Sequence, residues 1–459
     1  MVSPLCRPLH EILFPDVVYR AERSQQHELV LKLRQIASEI DSQLEKARAS
    51  ENCGTSNDGQ PSVSDSELQA RITSSHEAGP SGPELFVKSS EKKKKEKREF
   101  VMGAYQRRYV ALEVFYSGWN YHGFASQADT QETVEGHLFL AMRKTRLIPD
   151  NVGWEGLGYS RCGRTDKGVS ALGQVIALWL RSGAKTGEAA LSADEEMDYA
   201  VTLNRALPDD IRVLGWTPVH ETFSARFSAV HREYKYFIVQ RGDLNLAAMR
   251  EAAGHFVGDH DFRNFCKVDA QHVSSFQRTI LDFRITPLEG LTAGGAQVYA
   301  LHVRGTAFLW HQVRCMAAVL LLVGRGLESP DVVRRLLDVK DTPSKPQYNM
   351  APEEPLLFYA CIFDSLRFRR SAQSHAATRA AVQSQLDHHL ISTALLHTVS
   401  EHLAMQVECE VAGSSQPRPP KHIPLLKRAT EPPVEERLTK YGRQIKSRDV
   451  APTLATANN

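Results

Sequence analysis

Residues 277–323 read QRTILDFRITPLEGLTAGGAQVYALHVRGTAFLWHQVRCMAAVLLLV. The segments QRTILDFRIT and AQVYALHVRG have the composition of strands and form a hairpin-like pair. The segment HQVRCMAAVLLLV is almost wholly apolar and predicts a buried helix. Strands that pair locally and then lead into a helix are typical of α+β folds with largely antiparallel sheets.

The same alternation of strands and helices extends from about residue 107 to about residue 368. Further strands are predicted at RRYVALEVFY, QVIALWL, IRVLGWTPV, EYKYFIV and PLLFYACIF, and further helices at TVEGHLFLAMRKTRL, DYAVTLNRAL and LAAMREAAGHFV. Two successive sets of strands and helices predict two mixed α+β halves, residues 104–230 and 231–370, flanking a central cleft. We expect a functional site in that cleft.

The segments outside these halves have a different composition. Residues 1–50 predict an amphipathic helical extension, and residues 51–103 predict a disordered linker because they contain few large apolar side chains. The linker ends in the basic run Lys92–Lys95, which is typical of a solvated tail but also of nuclear import or RNA attraction. Residues 371–459 predict a peripheral helical segment followed by a basic tail.

Composition excludes several classes of protein. The 459 residues include 56 Lys and Arg against 54 Asp and Glu, a net charge of +2, so any polyanion must bind to local basic patches. The longest apolar run, Cys315–Val323, has nine residues, whereas a membrane span needs about 20. The N-terminal residues lack a basic segment followed by a long apolar stretch, which argues against secretion.

The seven cysteines are odd in number and show no C-x-x-C spacing. This pattern predicts neither a disulfide scaffold nor a zinc knuckle, and it indicates a reducing compartment.

The densest group of reactive residues is GYSRCGRTDKG, residues 158–168. This segment is one substitution away from a nucleotide-binding P-loop. A P-loop must be followed directly by a helix, whereas a strand-like run follows here, which argues against a P-loop. Alternatively, a tight loop presents Asp166 among the cations Arg161, Arg164 and Lys167. Nearby positive charge keeps a carboxylate ionised, as a nucleophile requires, although such an Asp is also common in loop-stabilising ion pairs.

Two further segments contain candidate site residues. Tyr234 and Tyr236 lie two apart and therefore share one face of a predicted strand, where a tyrosine facing a cleft can stack on an unpaired base. Arg314 lies in the first turn of the apolar helix, so a carboxylate partner is expected. His311 could act as an acid or base, but a structural role is favoured for a lone His beside Trp310.

Four ordered segments, SRCGRTDKGVSA, HREYKYFI, FLWHQVRCMAAVLLLVGRG and APEEPLLFYAC, resemble the motifs of the TruA-type tRNA pseudouridine synthases. The resemblance covers residues 107 to about 368, and segments such as GDHDFRNFCKVD and SKPQYNMA are most similar to the eukaryotic branch that acts on uridines 38 and 39 of tRNA. It implies the pseudouridine synthase fold, two mixed halves with largely antiparallel sheets.

The resemblance also implies roles for single residues. Asp166 corresponds to the catalytic aspartate, which attacks at C6 of the base or at C1′ of the ribose, and Arg164 to an arginine that contacts the RNA. Tyr234 corresponds to the tyrosine that packs on the target base, and Arg314 to the arginine that pairs with the aspartate. Leu356 corresponds to an apolar residue against the uracil. Arg161 and Lys167, in the same basic loop as Asp166, are further candidate contacts to the substrate.

The chain is therefore expected to isomerise uridine in the anticodon stem-loop, with tRNA as partner, no cofactor and no metal. The family implies a homodimer, and the composition implies no membrane partner and a location in the nucleus and/or cytoplasm. The alternatives are a non-catalytic tRNA-binding or chaperone protein on the same scaffold and, third, a P-loop nucleotide hydrolase.

Overall fold

A computed structural model describes residues 100–242, 244–407 and 421–445. The predicted N-terminal helical extension, nearly all of the predicted linker and the run Lys92–Lys95 lie outside the described residues.

The described residues contain nine strands that belong to a single sheet. They are β1 (Tyr105–Tyr116), β2 (Ser160–Arg161), β3 (Ser170–Lys185), β4 (Ile211–Pro218), β5 (His231–Gln240), β6 (Gly258–Asp261), β7 (Gln277–Ala293), β8 (Ala296–Gly305) and β9 (Leu356–Ile362). The order is β4-β1-β3-β9-β5-β8-β7-β6, with β2 paired to β3. All pairs are antiparallel except β3 with β9.

Seven α-helices lie in the described part of the chain. They are α1 (Val134–Lys144), α2 (Tyr199–Asn204), α3 (Leu246–Gly254), α4 (Gln312–Gly324), α5 (Val332–Leu337), α6 (Ala372–Val407) and α7 (Val434–Thr439). Polar residues cap three of them: the side chains of Thr133, Asp198 and Asn245 accept hydrogen bonds from backbone N–H groups in the first turns of α1, α2 and α3. Among these helices, none combines the length and the apolar content needed to cross a membrane.

The predicted fold class is confirmed, since the protein is a mixed α+β structure with a largely antiparallel sheet. The two predicted halves join in this one sheet through β9, the last strand of the described residues. β9 lies between β3 and β5, where Phe358 is the register partner of both Ala171 and Tyr234. The domain limits drawn from the sequence stay a prediction.

Two hydrophobic clusters pack on the sheet. One is built largely from β1, β3, β4, α1 and α2 and includes Phe358. The other is built largely from β5, β8, α3, α4 and α5 and includes Leu356. Tyr234 packs against both clusters, so β9 and β5 connect the two cores in the middle of the molecule.

The cysteines differ from the sequence expectation in one respect. Cys162 and Cys361 form a disulfide across 199 residues of sequence, and Cys266 and Cys315 are buried free thiols. The spacing of the seven cysteines could not reveal this pair, because only the central position of β9 brings Cys361 beside the loop that contains Cys162.

Candidate active site

Residues 162–169, here called the Asp166 loop, connect β2 to β3. Because β3 follows instead of a helix, the P-loop interpretation fails. The buried side chain of Gln174 on β3 holds the start of the loop: its Oε1 accepts from the Gly163 N–H at 3.2 Å, and its Nε2 donates to the Gly163 carbonyl at 2.9 Å. Both polar groups of Gly163 are thereby fixed to the sheet.

The centre of the loop is fixed by a neighbouring segment. The Thr165 carbonyl accepts from the Phe124 N–H at 3.1 Å, and the Thr165 hydroxyl lies 2.7 Å from the Tyr116 hydroxyl. Gly123 has a φ of +104°, and a Cβ there would lie 3.0 Å from the Thr165 carbonyl oxygen, so the close approach requires glycine. Asp166 is therefore presented by a loop that is bonded on both sides.

The Asp166 carboxylate contacts two ring nitrogens from the start of α4. Its Oδ1 accepts from the Trp310 indole N–H at 2.9 Å, and its Oδ2 lies 3.2 Å from His311 Nε2. The Asp166 side chain is 30% exposed, whereas that of His311 is 8% exposed. The carboxylate thus combines fixed donors with an open side that a reacting group can approach.

Arg314 has a different partner from the one that the resemblance implied. Its Nε donates to the Ala351 carbonyl at 2.8 Å, and its guanidinium binds Glu353 Oε2 at 2.6 Å. The expected carboxylate partner of this buried arginine exists, but it is Glu353 rather than Asp166. The physical reason is that residues 351–353 run beside the first turn of α4, while Trp310 and His311 occupy the two oxygens of Asp166.

Tyr234 on β5 lies in an aromatic group. Its ring stacks on Phe358 with centroids 4.9 Å apart and meets the edge of Phe308 at the same distance. Burial raises the pKa of the Tyr234 hydroxyl well above its usual range, and the negative charge of Asp166 acts in the same direction. The hydroxyl is therefore neutral, and Asp166 is close enough for its charge to act on this hydroxyl. Tyr236 is fully buried, and burial raises its pKa to about 12.

Comparison with known proteins identifies the family. A sequence profile described as tRNA pseudouridine synthase matches residues 252–364. The human tRNA pseudouridine(38/39) synthase is 44% identical over 333 residues, which cover 69% of this chain and 68% of that protein. The mouse protein of the same name is 40% identical, and the aligned residues cover 78% of this chain and 76% of the mouse protein. The chain belongs to the tRNA pseudouridine synthase family.

The yeast tRNA pseudouridine(38/39) synthase, from Saccharomyces cerevisiae, is 44% identical over 281 residues, which cover 60% of this chain and 62% of that protein. The family assignment and the enzyme class predicted from the four motifs are thereby confirmed. The matched profile contains α4 and β9, and so Arg314 and Leu356, whereas Asp166 and Tyr234 lie before it.

The other residues that the resemblance to tRNA pseudouridine synthases placed at the substrate differ in their surroundings. Arg164 and Lys167 are exposed on the Asp166 loop, whereas Leu356 is buried at the start of β9. Arg161 forms an ion pair with the buried Glu135, whose second oxygen accepts from the Ser126 N–H at 2.8 Å. The charge of Arg161 is therefore largely balanced by Glu135.

Sequence reasoning missed several residues that shape this site of the synthase. Of these residues, only Gln174 could have been found from the sequence, because a buried polar residue in an otherwise apolar strand needs hydrogen-bond partners. Nothing in the sequence indicated that Glu353 pairs with Arg314, and Trp310 entered the sequence analysis only as the neighbour of His311. In the described residues, no cluster of three or more His, Cys, Asp or Glu side chains could hold a metal ion.

Proposed function

We propose that this tRNA pseudouridine synthase isomerises uridines 38 and/or 39 in the anticodon stem-loop, with Asp166 as the nucleophile. The observation that supports this best is the partly exposed Asp166 carboxylate, which lies on a loop bonded to the sheet and whose charge acts on the Tyr234 hydroxyl. The two uridine positions follow from the names of the relatives in human, mouse and yeast.

In the proposed reaction, the carboxylate attacks the target nucleoside and the bond between N1 and C1′ breaks. The detached uracil turns and forms a new bond between C5 and C1′. The bond between the Asp166 carboxylate and the nucleoside then breaks, which restores the free carboxylate, while C5 loses its hydrogen as a proton and N1 gains one. The atoms of substrate and product balance, so the isomerisation needs no redox cofactor and no group donor. The attack takes place either at C6 of the base or at C1′ of the ribose.

The target base must leave the stack before it can reach Asp166. Extrusion of a base costs a few kcal/mol, which an aromatic surface and cationic contacts to the phosphates can offset. Tyr234 provides the aromatic surface, and the exposed Arg164 and Lys167 provide positive charge beside Asp166. We assign these residues to substrate binding.

The decisive experiment is Asp166→Ala, assayed by chemical mapping of pseudouridine in tRNA treated with the purified protein. We expect loss of product by at least about 1,000-fold, because removal of the nucleophile removes the covalent step. The matched control is Asp150→Ala, since Asp150 is exposed in the turn after α1, and it should keep full activity. If the wild-type protein binds tRNA but leaves every uridine unchanged, the protein is a tRNA-binding or chaperone protein instead.

We further propose that the synthase is a homodimer and that it acts in the nucleus and/or cytoplasm. In support of the homodimer, the second half of α6 exposes many apolar side chains. They are Leu390, Ile391, Leu395, Leu396, Val399 and Leu403. The basic run Lys92–Lys95, outside the described residues, supports nuclear entry.

A further inference from the structure

We propose that Trp310 and His311 are positioning residues that hold the Asp166 carboxylate in the orientation needed for attack. This inference rests on the proposed function, which makes Asp166 the nucleophile. It adds two adjacent residues that act on the reaction through Asp166.

Each oxygen of Asp166 faces one ring nitrogen from this pair. The Trp310 indole N–H donates to Oδ1 at 2.9 Å, and His311 Nε2 lies 3.2 Å from Oδ2. A carboxylate that is held at both oxygens cannot rotate freely about its Cβ–Cγ bond. Fixed orientation of a reacting group lowers the entropy that must be lost in the transition state, so such contacts act on the rate of the chemical step.

The backbone at His311 is strained in a way that serves this arrangement. His311 has φ 59° and ψ 13°, the left-handed region that a residue with a side chain seldom adopts. The Lys267 N–H donates to the Trp310 carbonyl at 3.0 Å, and the His311 carbonyl accepts from the Cys315 N–H at 3.0 Å. The neighbouring backbone bonds therefore keep the turn in place, and the turn directs both rings to the same carboxylate. Strain of this kind is concentrated at functional sites.

The other nitrogen of His311 indicates where the hydrogen lies. Nδ1 is buried and has no hydrogen-bond partner among the described residues. A neutral imidazole has one N–H and one acceptor nitrogen, and a buried N–H without a partner is costly. The hydrogen therefore belongs on Nε2, where it points to Oδ2 of Asp166, and His311 is a donor to the nucleophile.

Trp310 can be changed without disturbing the core. Its side chain is 45% exposed, and the Lys267 ammonium lies 4.5 Å from the centroid of its ring. Trp310→Phe keeps an aromatic ring but removes the N–H donor together with one ring of the indole. Because His311 is buried, it is tested with two variants: His311→Gln retains an N–H near the position of Nε2, and His311→Met does not.

The experiment measures kcat and KM for pseudouridine formation in tRNA, together with the thermal unfolding midpoint of each variant. We expect Trp310→Phe and His311→Met each to lower kcat about 10-fold with KM changed less than about twofold, because the lost contact acts in the transition state. His311→Gln should restore kcat to within about threefold of the wild type. Trp119→Phe is the matched control: Trp119 is 51% exposed, its N–H donates to the Glu354 carbonyl, and kcat should not change.

Three outcomes would overturn the inference while the proposed function stands. The first is a wild-type kcat in Trp310→Phe and His311→Met while Asp166→Ala is inactive. The second is an increase in KM alone in Trp310→Phe and His311→Met. The third is a His311→Gln variant that is as slow as His311→Met although both variants are folded. Should His311→Met fail to fold, Trp310→Phe and His311→Gln still decide. Activity in Asp166→Ala would instead reject the proposed nucleophile itself.

Discussion

At the scale of single residues, Gln174 fixes the start of the Asp166 loop. Its buried amide satisfies both the N–H and the carbonyl of Gly163. Gln174→Leu has a similar volume but leaves both groups without a partner, at a cost of about 1–3 kcal/mol for each group. We expect a lower free energy of unfolding, measured by urea denaturation, and slower pseudouridine formation because the loop can shift.

Gln106→Leu is the control for this prediction. The Gln106 amide donates to the Lys185 and Glu188 carbonyls at an exposed position, where water can replace the lost bonds, so little change is expected. Equal losses of stability in the two variants would show that burial of the Gln174 amide is unimportant.

Residue identity predicted some of these contacts and not others. The requirement that a buried arginine be paired indicated a carboxylate partner for Arg314, and this was correct. Which carboxylate it would be could not be read from the sequence, because Glu353 and Asp166 approach the start of α4 from different parts of the chain. The contact from Trp310 to Asp166 was missed for the same reason.

Among the elements, β9 has the position that local patterns could not predict. Alternation and composition predicted that β9 and its neighbouring strands exist, since strand formation depends on residues nearby in the sequence. Its place between β3 and β5 depends on pairing over more than a hundred residues. The sequence therefore predicted two halves, and the structure joins them in one sheet.

The side chain of Phe358 makes this junction sensitive to mutation. It is fully buried, and its ring stacks on Tyr234. Phe358→Ala should lower the free energy of unfolding by about 3–5 kcal/mol, because it leaves a cavity where the two clusters meet. The measurement is urea denaturation, with pseudouridine formation assayed under conditions where the variant is folded; we expect activity to fall because Tyr234 loses its support.

Phe227→Ala provides the comparison for this change. Phe227 is 81% exposed, and a substitution at such a position normally changes stability by less than about 0.5 kcal/mol. A loss at Phe358 as small as the loss at Phe227 would contradict a stabilising role of β9 at the junction.

For the whole molecule, the proposed homodimer makes a prediction about association. The apolar side chains in the second half of α6 are exposed in the single chain, and the burial of apolar surface favours protein association. Charged residues in place of Leu390 and Leu396 would have to lose water in that interface. We therefore expect the double variant Leu390→Glu/Leu396→Glu to sediment as a monomer at concentrations where the wild type sediments as a dimer.

The same variant also tests whether dimerisation is needed for activity. Leu390 and Leu396 are exposed, so the charged side chains should leave the sheet and the Asp166 loop intact, and the thermal unfolding midpoint of the monomer reports on this directly. The control Gln383→Glu adds charge to the first half of α6, where Gln383 is exposed and donates to Asp387 at 2.8 Å, and it should remain dimeric. A wild-type protein that is monomeric at every concentration would contradict the proposed dimer, and a double variant that remains dimeric would place the interface away from the second half of α6.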